Sequence, residues 1–189
     1  MIGDNEKLGQ VLIPTLRNIG AKREVLPYGR YQTTFDEIET FYSVNNDPSR
    51  NAIWTEFMQH FAVVRKGFGE VAAIWVSGSF ITSEQTPHDI DVVYLVTESM
   101  YANATQSNLG KFAIQLLTNK RKSFNQKSMV DSYLLVVPPT EYGYEQDKYL
   151  AIRGYWDQFW SKTRFDADSS RWLYPAAGYL EVIIDGYGK

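Results

Sequence analysis

The chain has 189 residues, 44% hydrophobic and 22% charged, a balance that builds one globular domain with a substantial core. Its formal net charge of −3 excludes the overall cationic field of a dedicated duplex-DNA binder, so any nucleic-acid contact has to come from a local basic patch. There is no cysteine and only two histidines, His60 and His88, which excludes disulfides, thiolate metal sites and a cysteine nucleophile and leaves carboxylates and oxygen-loving metals.

The first thirty residues are weakly periodic and punctuated by Pro14, Gly20, Pro27 and Gly29, so residues 1–30 are expected to form an irregular arm. The polar start from Met1 to Gln10 is unlike a signal peptide, and no apolar run reaches the roughly 20 residues of a bilayer span. The expectation is a cytoplasmic protein without a membrane partner.

Thr34 with Glu37 three residues later makes a capping box, and Phe35, Ile38, Phe41 and Tyr42 give the following helix an apolar face. Asn45 to Pro48 is a turn, after which Ile53, Phe57, Phe61 and Val64 recur at helical spacing. That second helix is expected to run about four turns, to a stop at Gly67. His60 lies one residue from its apolar stripe and reads as structural.

Residues 71–77 (VAAIWVS) read as a buried strand ended by Gly78, and residues 89–96 (DIDVVYLV) as a second strand. A helix is expected from Thr105 to about Lys120, then a third strand from Val130 to Val137 stopped by Pro138 and Pro139. A helix around Gln146 to Lys162, a polar turn from Asp166 to Arg171 and a last strand from Gly178 to Ile184 complete the chain. The order α, α, β, β, α, β, α, β implies a single α/β (α+β) domain, a small mixed β-sheet with helices packed mainly on one face. Residues 31–137 would form its core and residues 138–189 a C-terminal helix and strand.

The chemistry concentrates between Trp75 and Val93. Side chains alternate along a strand, so Asp89 and Asp91 project to the same side, about 6.6–6.8 Å apart, while Ile90 and Val92 face the core. Two carboxylates one pleat apart suit Mg²⁺, which takes hard oxygen ligands and completes its shell with water and substrate phosphates. Gly78 lets the backbone approach a polyphosphate closely, and Ser79, with Thr82 and Ser83 continuing the turn, offers hydroxyl donors. Asp131, at the start of the third strand, is the candidate third carboxylate, a metal ligand and general base; the competing reading is a strand-start Asp with a local turn hydrogen bond.

A strand, Gly-Ser, nine residues and Asp-Ile-Asp heading a second apolar strand resemble the polymerase-beta-like nucleotidyltransferase superfamily. The resemblance widens through Leu26-Pro27, residues 29–42 (GRYQTTFDEIETFY), residues 78–93 and the tail from Trp156 through Phe165 to residues 179–182. These stretches look like a family of small bacterial and phage nucleotidyltransferase-like proteins known only as a domain of unknown function. The resemblance implies a nucleotidyltransferase fold in which Asp89, Asp91 and Asp131 hold Mg²⁺ (or Mn²⁺) and Gly78 and Ser79 hold the phosphates of an NTP. The activity it implies is transfer of a nucleoside monophosphate to a hydroxyl of a protein, RNA or small molecule. The alternative is an inactive nucleotide-binding or interaction module, an antitoxin or phage-defence component with a protein partner. Minimal nucleotidyltransferases of toxin–antitoxin systems follow Gly-Ser with a small residue, Arg and Gly; Phe80 to Ser83 stand here instead, which removes a cationic phosphate contact.

Three further features stay open. His88 is either a phosphate contact or an exposed loop residue. The basic cluster of Lys120, Arg121, Lys122 and Lys127 either steers polyphosphate or RNA or answers a helix dipole, and Arg30, Arg153 and Arg164 are candidates for the missing positive charge. The 13 Tyr and 5 Trp serve either base stacking, a partner surface or an aromatic core.

Overall fold

A computed structural model describes residues 13–21, 23–118, 128–139, 144–165 and 170–187. The capping box forms as the sequence dictates. The Thr34 hydroxyl accepts from the Glu37 N–H at 3.2 Å and the Glu37 carboxylate accepts from the Thr34 N–H at 2.9 Å, starting helix α1 (Phe35–Phe41). Asp47 caps helix α2 (Pro48–Phe68), its Oδ1 accepting from the Ser49 and Arg50 N–H groups at 2.9 and 3.2 Å, with Pro48 at the first helical position. At 21 residues α2 is longer than the expected four turns. Gly67 does not end it: a Cβ there would lie 2.4 Å from the Ala113 Cβ, so this glycine admits a neighbouring helix, and Gly69 supplies the positive-φ cap instead.

Two buried strands follow, β2 (Ala73–Ser77) and β3 (Ile90–Thr97). A short helix absent from the sequence reading, α3 (Glu98–Ala104), comes first, and the helix expected from Thr105 begins three residues later as α4 (Asn108–Thr118). Local hydrogen bonding sets both starts: the Thr97 hydroxyl accepts from the Met100 N–H at 3.2 Å at the head of α3, and the Ser107 hydroxyl accepts from the Gly110 N–H at 2.9 Å at the head of α4. Strand β4 (Val130–Val137) and helix α5 (Tyr144–Trp160) come next, then a two-residue pair of strands, β5 (Thr163–Arg164) and β6 (Trp172–Leu173), and finally β7 (Gly178–Ile183).

Five strands form one mixed sheet in the order β1-β7-β2-β3-β4, where β1 is Gly29–Thr33. The arm expected over residues 1–30 is therefore shorter. Gly29 and Arg30 belong to the sheet, Val25 and Leu26 are buried, and Arg17 and Val25 form a bridge. The C-terminal strand is no appendage either: β7 lies between β1 and β2, parallel to the first and antiparallel to the second.

The sheet has two differently covered faces. Helix α2 lies on the face bearing Tyr94 and Ser132, where His60 meets the Tyr94 hydroxyl at 2.9 Å and the Ser132 hydroxyl at 3.2 Å. Helix α1 joins α2 there through Phe35, whose ring packs edge-on against Trp54, Phe57 and Phe61, and α3 and α4 pack on α2. Helix α5 takes the opposite face, with Trp156 on Tyr133 at 4.4 Å and Trp160 on Tyr179 at 5.5 Å between ring centroids. Side chains such as Phe57, Ile74, Trp75, Tyr94 and Leu95 are fully buried, and each Ile, Leu or Phe so buried contributes about 1.5–3 kcal/mol. No helix among the described residues is long and apolar enough to cross a membrane.

Candidate active site

Strand β2 is buried along its whole length and delivers Ser77 and Gly78 to the end of the sheet where β3 and β4 begin. Gly78 has φ 89°, and a Cβ on it would stand 2.4 Å from Asp91 Oδ2. Only glycine satisfies both constraints, because the backbone conformation disfavours an L side chain and the space beside it belongs to a carboxylate. Ser79 opens a single 3₁₀ turn (Ser79–Ile81), and its hydroxyl lies 3.4 Å from both the backbone oxygen and Oδ1 of Asp89. Asp89 and Asp91 thus flank the Gly78-Ser79 turn, one carboxylate on each of its two residues.

The third carboxylate arrives by strand pairing. In the register of β3 with β4, Asp91 is the partner of Asp131, and in the register of β2 with β3 it is the partner of Ser77. Residues paired across neighbouring strands share a face and stand about 5 Å apart, so Ser77, Asp91 and Asp131 form one row at the sheet end. Tyr133 is one pleat along on the same face. Its phenol is pushed up to about 12, by burial first and then by the negative charges of Asp131 and Asp91, with Tyr155 and Asp89 adding less. The hydroxyl therefore stays protonated throughout the physiological range, a donor beside three acids. Among the described residues no three His, Asp or Glu side chains converge tightly enough to hold a metal ion unaided. The donor set fits an ion gripped by one or two carboxylates and completed by phosphate and water, the usual habit of Mg²⁺.

The family of unknown function DUF6932 matches residues 20–183. The chain belongs to that family. The matched span contains all five strands of the sheet and every residue of the row and turn just described. No curated protein and no solved structure matches the chain.

In this DUF6932 chain Thr82 and Ser83 have partners within the fold. The Thr82 hydroxyl donates to the Ser79 carbonyl at 2.8 Å and accepts from the Glu84 N–H at 3.2 Å, while the Ser83 hydroxyl accepts from the Glu24 N–H at 2.7 Å. The structure thus brings together Gly78, Ser79, Asp89, Asp91 and Asp131, and gives Thr82 and Ser83 the work of shaping the loop. His88 is exposed. Arg30 and Arg153 both lie on the α5-covered face, over the Trp75 ring at 5.4 and 5.8 Å, and pair with Glu181 and Asp157 at 3.5 and 3.9 Å. Arg164 stacks on Trp172 in the small hairpin. Lys120, Arg121, Lys122 and Lys127, and the turn at 166–169, lie outside the described residues.

Sequence reasoning missed Arg50. This arginine is 6% exposed, and its guanidinium donates to the carbonyls of Phe80, Thr82 (3.0 Å) and Glu84 (2.6 Å), while Nε stands 3.3 Å from Asp47 Oδ2. The buried Tyr42 hydroxyl donates to the Ile81 carbonyl at 3.1 Å. Carbonyls of four residues in the segment 80–84 are thereby held by side chains from α1, α2 and their flanks, which fixes the loop beyond Ser79 in one conformation. Burial lowers the Arg50 pKa, yet a guanidinium remains charged. The signal was present: Arg50 stands on the apolar stripe of α2, at helical spacing before Ile53, Trp54 and Phe57, where an unpaired charge would not be tolerated.

Proposed function

We propose that the chain has the nucleotidyltransferase fold and transfers a nucleoside monophosphate from an NTP to a hydroxyl of a protein, RNA or small-molecule acceptor, in a Mg²⁺- or Mn²⁺-dependent reaction. The observation that carries this reading is the row in which Asp91 pairs with Asp131 while its own carboxylate packs on the Cα of Gly78. Asp89, Asp91 and Asp131 are the residues that would hold the ion, and the ion would supply charge neutralisation on the phosphates. The Gly78-Ser79 turn offers backbone N–H groups and a hydroxyl to the phosphate oxygens. Asp131, the exposed member of the row, accepts the proton of the acceptor hydroxyl as its oxygen bonds to the α-phosphorus and pyrophosphate departs. Tyr133, its hydroxyl held protonated, is a donor available to the same charge-rich region. Catalysis in this scheme is positioning and electrostatics, with no covalent intermediate on the protein.

The test is incubation with Mg²⁺ or Mn²⁺ and each α-labelled NTP, with and without cell extract, beside an Asp89→Ala/Asp91→Ala variant. Label on the protein or an acceptor above that variant supports the reading; equal labelling overturns it. A second reading is a nucleotide-binding or interaction module without turnover, of the antitoxin or phage-defence kind. The spread of the carboxylates, which do not form a three-ligand set, favours it. Thermal stabilisation by an NTP with no product formed would identify it; ligand at a hundred times its Kd contributes about 2.7 kcal/mol.

A further inference from the structure

Helix α5 presents aromatic rings in two directions. Trp156 and Trp160 are buried against the sheet, whereas Tyr155 and Phe159, one turn apart, are 55% and 42% exposed. The two outer rings stack on each other, with centroids 5.7 Å apart and planes 16° from parallel. Packing on the sheet does not require them, since Trp156 and Trp160 already fill that contact. They are also continuous with the carboxylate row: Tyr155 meets Trp156 at 5.3 Å, Trp156 meets Tyr133 at 4.4 Å, and Tyr133 is one pleat from Asp131 on the same face.

We infer that the exposed face of Tyr155, backed by Phe159, is the platform on which the base of a nucleoside triphosphate stacks while its phosphates lie at the Gly78-Ser79 turn. This rests on the nucleotide reading above and names the part of the substrate that α5 recognises. Every base offers a π-face, so a ring platform with no fixed donor or acceptor takes purines and pyrimidines alike, larger rings more tightly. Its charge environment favours a mononucleotide over a nucleic-acid strand: Asp131, Asp91 and Asp89 act on the neighbouring Tyr133, and each additional phosphate of a strand passing there would be repelled by them.

The test uses the full chain in Mg²⁺ buffer and titration calorimetry with ATP, GTP, CTP, UTP and inorganic tripolyphosphate, on wild type, Tyr155→Ala, Tyr155→Trp and Asp91→Ala. Tyr155→Ala is expected to weaken NTP binding roughly tenfold or more, leave tripolyphosphate binding unchanged and leave the melting temperature unchanged; Tyr155→Trp restores NTP affinity. NTP affinity untouched by Tyr155→Ala, or NTP and tripolyphosphate weakened equally by it, overturns the platform. In either of those cases, binding that Asp91→Ala abolishes leaves the nucleotide reading standing. If wild type binds neither NTP nor tripolyphosphate, both fall together.

Discussion

Strands β3 and β4 carry polar groups on both of their faces, and the two sets are arranged in opposite ways. On the α2 side, His60, Tyr94 and Ser132 form a chain of two hydrogen bonds between neutral groups. Burial pushes the His60 imidazole down to about 4, against the smaller opposing influence of Glu56, so it is uncharged at neutral pH. On the α5 side, Asp91 and Asp131 are register partners at the strand starts, with Asp89 near and Tyr133 beside them. The first set resolves its polarity internally and serves stability. The second places two carboxylates in register next to a tight backbone turn, and under the proposed function it is the one that would hold the ion. The difference teaches that polar groups on one pair of strands can close on each other on one face and stand in a row at the strand starts on the other, according to which side chains the register brings together.

The sharpest way to break this contrast is to remove charge from the acidic row. Asp89→Ala/Asp91→Ala should lower the proposed nucleotidyl transfer by at least about 10²-fold, measured as initial rate, with the melting temperature unchanged or raised. A melting temperature that falls with activity would put the row on the stability side. Arg50 offers the intermediate case, a buried charge with full partners. Arg50→Met should cost about 3 kcal/mol or more in urea unfolding, because it strands the carbonyls of Phe80, Thr82 and Glu84, and Arg50→Lys should recover only part, since an ammonium lacks the fork.

His60 tests the neutral side. Its folded pKa lies below the unfolded value of about 6.5, so below that pH the unfolded chain binds a proton that the folded chain resists. The corresponding stability is fully present above about pH 6.5 and is lost as pH falls toward 4, a contribution on the order of 3 kcal/mol. Unfolding free energies measured across that window should slope in wild type and be flatter in His60→Gln. An equal slope in both would move the titrating group elsewhere. The smallest effect belongs to neither polar set: Thr34→Ala removes the capping box of α1 and should cost about 1 kcal/mol in thermal or urea unfolding.

Local signals were legible where the physics is local. The Thr34 capping box, the β4 boundaries at Val130 and Val137 and the glycine at position 78 all follow from residues within a few places of one another. Strand β1 was not legible, because Gly29–Thr33 alternates weakly and acquires its hydrogen bonds only from β7, at the far end of the chain. Helix α3 was not read either: it spans only seven residues and is started by the Thr97 hydroxyl cap, too short for an apolar periodicity to announce it. The role of Arg50 was not legible because the carbonyls it grips lie 30 to 34 residues further along the chain.

The sequence by itself determined that a glycine turn ends one buried strand and that Asp91 stands near the start of the next, because both follow from local pattern; β3 begins at Ile90, so Asp89 stands just ahead of the strand whose alternation was expected to set its side. Only the tertiary structure decided that Asp131 joins the row of Asp91, that α5 covers the acidic face and that α2 reaches across to lock the loop. Each of those depends on which strands pair and in which register. Pairing is chosen by the burial of whole faces, a quantity summed over distant segments that no local pattern records.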